Sequence, residues 1–168
     1  AIPTAAFASA TSEKCSNKAK FNLKYAPSLG AFRKHAGKGI VDNIQFIADQ
    51  GFRAIFDNGF MRRPVSDQKL IAKELEKRDM DFGPFVLYAD FGTKSFVLKD
   101  KEVKDMLVKK MKEGVEVAKR SGAKWALVVP GRYDEKLHWD YQSANVIDNL
   151  RYCMDVVEKS GLVIVLEP

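Results

Sequence analysis

The stretch GLVIVLEP (161–168) sets five apolar residues in a row and then a carboxylate, Glu167, followed by proline. A short continuous apolar run opened by glycine reads as a strand covered on both faces, as in parallel sheets. Two other stretches share its punctuation, DQG-FRAIF (49–56) and RSG-AKWALVV (120–129). In each, glycine stands where a helix C-terminus favours a left-handed residue, and an apolar run follows within three residues. The end of one element and the start of the next are thus written three times in the same way.

Working outward, the rest of the chain falls into the same rhythm. FNLKYAP (21–27) reads as a first strand, FRAIFDNG (52–59) as a second with its turn, DFGPFVLY (81–88) as a third, KWALVVPG (124–131) as a fourth and LVIVLEP (162–168) as a fifth. Between them lie four amphipathic segments: 39–50, with Ile40, Val41, Ile44, Ile47 and Ala48 on one face; 66–79, with Ser66 as N-cap; a long helix from Asp100 to about Arg120; and a helix capped by Ser143, with Ile147, Leu150, Met154 and Val157 inward. The long helix carries Val103, Met106, Leu107, Met111, Val115 and Ala118 as its stripe. Trp125 and Trp139 read as packing residues. Alternation of this kind predicts an α/β fold of right-handed βαβ units.

Two architectures accommodate that order, an open doubly wound sheet and part of a (β/α)8 barrel. LKYAPSLGAF, after the first strand, has one glycine where a dinucleotide fingerprint needs three, so no nucleotide cofactor is expected. Polar side chains meanwhile collect at the strand ends: Tyr25, Asp57 and Asn58, Tyr88 and Asp90, Arg132 and Tyr133, and Glu167. In a barrel those ends converge on one mouth, where ligands bind. A barrel takes about 250 residues. The expectation is a partial TIM barrel of about five strands and four helices, residues 20–168 forming the N-terminal part of one domain and lacking its C-terminal portion. Such a piece would be inactive alone, and its open apolar edges would invite pairing with another chain as a homo-oligomer or aggregate.

Composition narrows the function classes. The chain has 168 residues and a formal net charge of +6. Its lysines run through helical stretches such as KEVKDMLVKKMKEGVEVAKR, with acids three and four residues from bases, which reads as a solvated face. No nucleic-acid partner is expected, and no apolar run reaches the length of about 18 residues that spans a membrane. Two cysteines, Cys15 and Cys153, and two histidines leave no zinc pattern. AIPTAAFASATSEK (1–14) resembles the end of an export signal, with A-x-A sites at 6–8 and 8–10, so residues 1–19 are expected outside the fold of an exported, periplasmic protein. If the leader is not a signal remnant, the location is cytoplasmic.

FNLKYAPSLGAFRKHAG, ADQGFRAIFDNGFMRRPV, WALVVPGRYDEKL and ANVIDNLRYCMDVVEKSGLVIVLEP resemble successive segments of the hydroxypyruvate isomerase branch of the xylose isomerase-like TIM barrels, over about residues 21–168. The resemblance implies a divalent metal at the mouth, Mg2+ or Mn2+, held by carboxylates and a His or Gln from strands five to eight. Glu167 matches the first of these ligands and one of two opposed acid/base glutamates. The implied activity is isomerisation or epimerisation of a small sugar or hydroxy-keto acid through a metal-stabilised enediolate. Where relatives often carry a glutamate in strand two, this chain has Phe56, with Asp57 beside it. The other readings are plainer. Tyr25 flanks substrate or packs the rim; Asp57 and Asn58 touch substrate or make a turn; Tyr88, at the third strand's end, is a further substrate-binding candidate. Arg132 binds an acidic substrate or is a loop charge, and His35 is a surface or hinge residue in preference to a catalytic one. Against the enzyme stands a non-catalytic sugar-binding or assembly module on the same barrel. An endonuclease IV-like enzyme is set aside because none of these strand ends carries a histidine.

Overall fold

The computed structural model describes residues 20–167; the expected leader at 1–19, with Cys15, and Pro168 lie outside them. The elements in order are α1 (Arg33–Ala36), α2 (Ile40–Asp49), β1 (Ala54–Ile55), a 3-10 turn (Phe60–Arg62), α3 (Val65–Lys77), β2 (Asp81–Phe82), β3 (Phe85–Ala89), α4 (Lys101–Ser121), β4 (Trp125–Val129), α5 (Trp139–Val157), a second 3-10 turn (Glu158–Ser160) and β5 (Val163–Leu166). Every strand pairing is parallel: β1 with β2, and β3 with β4 with β5. All strand C-termini therefore lie at one end. No described helix is long and apolar enough to cross a membrane.

The helix-to-strand punctuation is built as the sequence implies. Gly51, Gly122 and Gly161 all have positive φ. The handover from α3 uses Asp79 instead, at φ 53°, with Met80 N–H donating back to Leu75 O at 3.0 Å. Asp100 caps α4 by accepting from Glu102 N–H at 2.7 Å and Val103 N–H at 3.1 Å. The other two expected caps are displaced. Ser66 lies inside α3, behind Pro64, whose carbonyl takes the Gln68 N–H. α5 begins before Ser143, at Trp139, and is capped by His138, whose side chain accepts from Asp140 N–H.

Two strands differ from expectation. The first, 21–27, forms no regular strand. The segment approaches β1 through one parallel bridge, Ser28 to Phe56, with Leu29 N–H donating to Phe56 O at 2.8 Å and Phe56 N–H to Pro27 O at 3.1 Å. Pro27 has no N–H to extend the ladder. The third, 81–88, is divided at Gly83-Pro84. Asp81–Phe82 pairs with β1 and Phe85–Ala89 pairs with β4, so one segment joins the two sheets. A register shift between Val86 and Tyr88 adds a bulge in β3.

The helices cover one side of the strands. Ile44 and Ile47 of α2, Ile71 and Leu75 of α3, and Leu107 and Met111 of α4 are buried, as are Cys153 and Val157 of α5. They pack against Ile55, Phe82, Phe85, Ala126 and Val128. Phe60 is fully buried, with ring centroids 4.6 Å from Phe82 and 6.3 Å from Phe85. In α5 the inward face is Gln142, Asn149, Cys153 and Val157, whereas Ile147 and Met154 are exposed. The two tryptophans are not core: Trp125 is 48% exposed and Trp139 66%.

Side chains alternate across a strand. Ala126, Val128 and Ile164 meet the helices, so Trp125, Leu127, Val163 and Val165 take the opposite face. There Trp125 and Val165, with the Lys24–Asp81 ion pair, line an open hollow of about 390 Å³. The arrangement is a concave strand wall backed by helices.

Gly114 in α4 lets that helix lie on the β3 bulge: a Cβ there would stand 2.3 Å from Leu87 Cδ1 and 2.6 Å from its Cγ. Gly114→Val is expected to destabilise the chain by about 1–3 kcal/mol through overpacking, read as a fall in the urea midpoint with m unchanged.

Candidate active site

The C-terminal ends of the parallel strands present Phe56 and Asp57 after β1, Asp90 after β3, Pro130 to Tyr133 after β4 and Glu167 after β5. Glu167 continues the β5 ladder. Its N–H donates to Val128 O at 3.0 Å, just as Val163 N–H donates to Lys124 O four residues earlier. The two-residue period then places Glu167 on the face of Val163 and Val165, opposite the helices and beside Val129. The residue is exposed, and none of the described ion pairs or side-chain hydrogen bonds uses its carboxylate.

The other sequence-derived site residues divide. Asp57 is buried and committed locally: Oδ1 accepts from Gly59 N–H at 3.0 Å, closing a turn, and Oδ2 pairs with Arg63 Nε. Ladder parity puts Phe56, not Asp57, on the concave side, since Ile55 packs with the helices. Asn58 is exposed at the turn and shares a crevice with Arg62, Tyr88, Asp90, Lys110 and Glu113. Tyr88 is only 8% exposed, in register with Val128 and edge-on to Phe96 at 5.8 Å, so its ring belongs to the helix side. Tyr25 is exposed and stacks edge-on against Phe21 at 5.6 Å, before the bridge at Ser28 and away from the mouth.

Arg132 is engaged by Glu135 at 2.6 Å. The same carboxylate receives Lys94 Nζ at 3.2 Å, and Lys94 also reaches Asp134 Oδ1 at 2.9 Å. This network ties the loop after β3 to the loop after β4. Gly131 lies so close that a Cβ would be 3.1 Å from Asp90 O and 3.2 Å from Thr93 O, and its φ is +90°, so the position requires glycine. Ser95 Oγ donates to Pro130 O at 3.3 Å.

A polar ladder on α5, which the sequence reading missed, holds both loops. Gln142 Nε2 donates to Asp134 O at 2.9 Å and Leu137 O at 2.7 Å, and its Oε1 accepts from Asp134 N–H at 2.6 Å. Asn145 Nδ2 donates to Val97 O at 2.8 Å. Asn149 Nδ2 donates to Phe96 O at 2.8 Å and Leu98 O at 2.9 Å. The signal was present as amides at positions 142, 145 and 149, spaced three and four apart on one helix face.

Among the described residues no three His, Cys, Asp or Glu side chains gather to hold a metal ion. Glu167 supplies one carboxylate donor, and the described residues do not by themselves make a metal site.

Parallel strands backed by helices, with their loops gathered at one end, define a segment of a TIM barrel. The chain belongs to the xylose isomerase-like TIM barrel family, which matches residues 44–168. Its fold is similar to that of a family 2 AP endonuclease from Brucella melitensis, at 18% identity and a TM-score of 0.64, covering 85% of this chain and 54% of that one. It is also similar to a 3-keto-D-glucoside 4-epimerase from E. coli, at 18% identity and a TM-score of 0.62, covering 87% and 56%. A third likeness is to the IolI protein with a bound zinc atom, at 16% identity and a TM-score of 0.63, covering 86% and 51%. The chain thus spans about half the length of these structures. No curated protein matches the sequence.

The ion network sets an acid limit on the loops. A backbone N–H at Glu135, then Arg132 and Lys94, holds the Glu135 carboxyl down at about 2. The Lys136 N–H and then Lys94 lower Asp134 as well. A folded value below the unfolded one means stabilisation that is complete above the ordinary carboxylate range and lost as pH falls through that range toward 2. Amide shifts of residues 92–95 and 132–136 should therefore titrate in that window, and Lys94→Met should move the midpoint upward.

Proposed function

We propose that the intact protein is an isomerase or epimerase acting on a small sugar or hydroxy-keto acid, hydroxypyruvate being the compound to which the sequence resemblance points. The observation that carries the reading is Glu167. It extends a parallel ladder onto the concave face, at the end of the wall where barrel ligands bind, in a member of the xylose isomerase-like family. A carboxylate in that position is suited to take a proton from the carbon beside a carbonyl and to return it at a neighbouring carbon or on the other face. A divalent metal, Mg2+ or Mn2+, when bound would supply charge stabilisation to the developing enediolate oxygen. One donor among the described residues does not make such a site, so the proton-transfer role of Glu167 is argued here without it.

The rest of the described chain positions and encloses. The Lys94–Glu135–Arg132 network and the α5 amides hold the loops after β3 and β4 against each other at the mouth. Phe56 lends an apolar surface to the concave side at β1. The export reading rests on residues 1–19, and on it the enzyme works outside the cytoplasm.

In the full-length protein, incubation with a panel of ketoses and hydroxy-keto acids in D2O should give solvent deuterium at the carbon next to the carbonyl, together with isomer formation. Glu167→Gln should lower kcat by about 10²-fold or more with little change in KM. Dialysis against EDTA should abolish turnover, with recovery on adding Mg2+ or Mn2+. Ligand binding without deuterium uptake or product, with metal present, would establish the non-catalytic binding module instead.

A further inference from the structure

A cavity of about 380 Å³ opens between α4 and α5, where the segment after β3 turns into α4. It lies on the helix side of the strands, away from the concave face that carries Glu167. Leu98 and the Tyr152 ring give it apolar surface, and Lys104, Asn145 and Asn149 stand among its polar lining.

Those three polar side chains are held in place but left unsatisfied. Asn149 is only 5% exposed, and its Nδ2 is committed to Phe96 O and Leu98 O. Asn145 Nδ2 is committed to Val97 O. With both amino groups tied down, the two Oδ1 atoms are fixed one helical turn apart, and no described hydrogen bond reaches either. Lys104 is half-buried, with its Nζ 3.3 Å from the centroid of the Tyr152 ring, and it has no carboxylate partner among the described residues. Asn43 Oδ1 is the one described side-chain atom closed off from solvent without a partner. The Lys104 ammonium and the two amide oxygens therefore remain in contact with open space, and all three residues line this one cavity.

The carboxylates on the same lining are engaged. Asp100 caps α4, and Asp148 pairs with Arg151 at 3.2 Å. Lys101 is paired with Asp105. What remains for a ligand is one oriented cation, two oriented acceptors and the partial positive charge at the start of α4.

We infer that this cavity is a second binding site, taking a small hydroxylated anion whose carboxylate or phosphate ester meets Lys104 and whose hydroxyls donate to Asn145 and Asn149. Unmet polar atoms on a buried wall are costly, and a ligand with the complementary pattern satisfies them. The Tyr152 ring keeps the ammonium in position. The volume is that of a small-molecule pocket. Because the same amides bind the carbonyls of residues 96–98, a ligand here grips the segment between β3 and α4 from its outer side. None of these residues belongs to a strand, and the inference stands without the isomerase reading.

Titration of the whole chain with glycerol, acetate, inorganic phosphate, glycerate and glycerol 3-phosphate, followed by NMR, tests this without turnover. Glycerate or glycerol 3-phosphate should bind about fivefold or more tightly than both glycerol and the bare anion of its kind, shifting amides of residues 97–104 and 145–152. The one that binds distinguishes carboxylate from phosphate. K104M should weaken it about fivefold or more, while K104R, and K109M on the exposed face of α4, should each change it less than about twofold. N145A should remove the advantage over the bare anion. Amide shifts outside these segments report whether each variant keeps its fold, and the comparison of K104M with K104R decides the matter if N145A disturbs the loop. Equal effects of K104M and K109M, no preference for the hydroxylated anion, or no binding at about 10 mM overturns the inference. So do shifts confined to residues 129–133 and 167, which would place the ligand at the mouth. Any of these failures leaves the isomerase reading standing.

Discussion

The parallel pairing of β4 with a neighbour on each side is the constraint on which the rest depends. Ala126 and Val128 meet the helices, Trp125 and Leu127 turn the other way, and the same ladder carries β5 outward until Glu167 donates to Val128 O. A slip of one residue in that register would turn Glu167 from the concave face toward the helices. The chemical reading therefore rests on a backbone hydrogen-bond pattern more than on any contact of the carboxylate itself.

Around that ladder the mouth is organised by side-chain contacts between loops. Amides from α5 and the Lys94–Asp134–Glu135–Arg132 network hold the loops after β3 and β4 against each other. Arg132 and Arg62 are both exposed arginines beyond strand ends, but among the described residues only Arg132 has a carboxylate partner.

The parts legible in the sequence were those written in local patterns. The Gly51, Gly122 and Gly161 closures, the Asp100 cap and the continuous apolar strands 125–129 and 163–166 each depend on a few adjacent residues, and each formed where expected. The parts that were not legible depend on distant partners. Pro27 and Pro84 lack a ladder N–H, but which neighbour the flanking segments pair with is set far away in the sequence, β1 before Pro84 and β4 after it. Ile147 and Met154 fit an apolar stripe by spacing, but α5 turns Gln142 and Asn149 inward instead, because the backbone carbonyls of Phe96, Leu98 and Asp134 need donors.

By itself the sequence determined the alternation of helix and strand, the parallel α/β class and the suspicion attached to Glu167, since glycine closures and apolar runs act over a few residues. Only the tertiary structure decided which polar residues are free. Asp57, Tyr88 and Arg132 looked equally available in the sequence, and the fold commits them to Arg63, Phe96 and Glu135. The physical reason is that pairing and burial are properties of neighbours in space, and residues as far apart as Lys94 and Asp134 become neighbours only when parallel strands bring their loops to the same end.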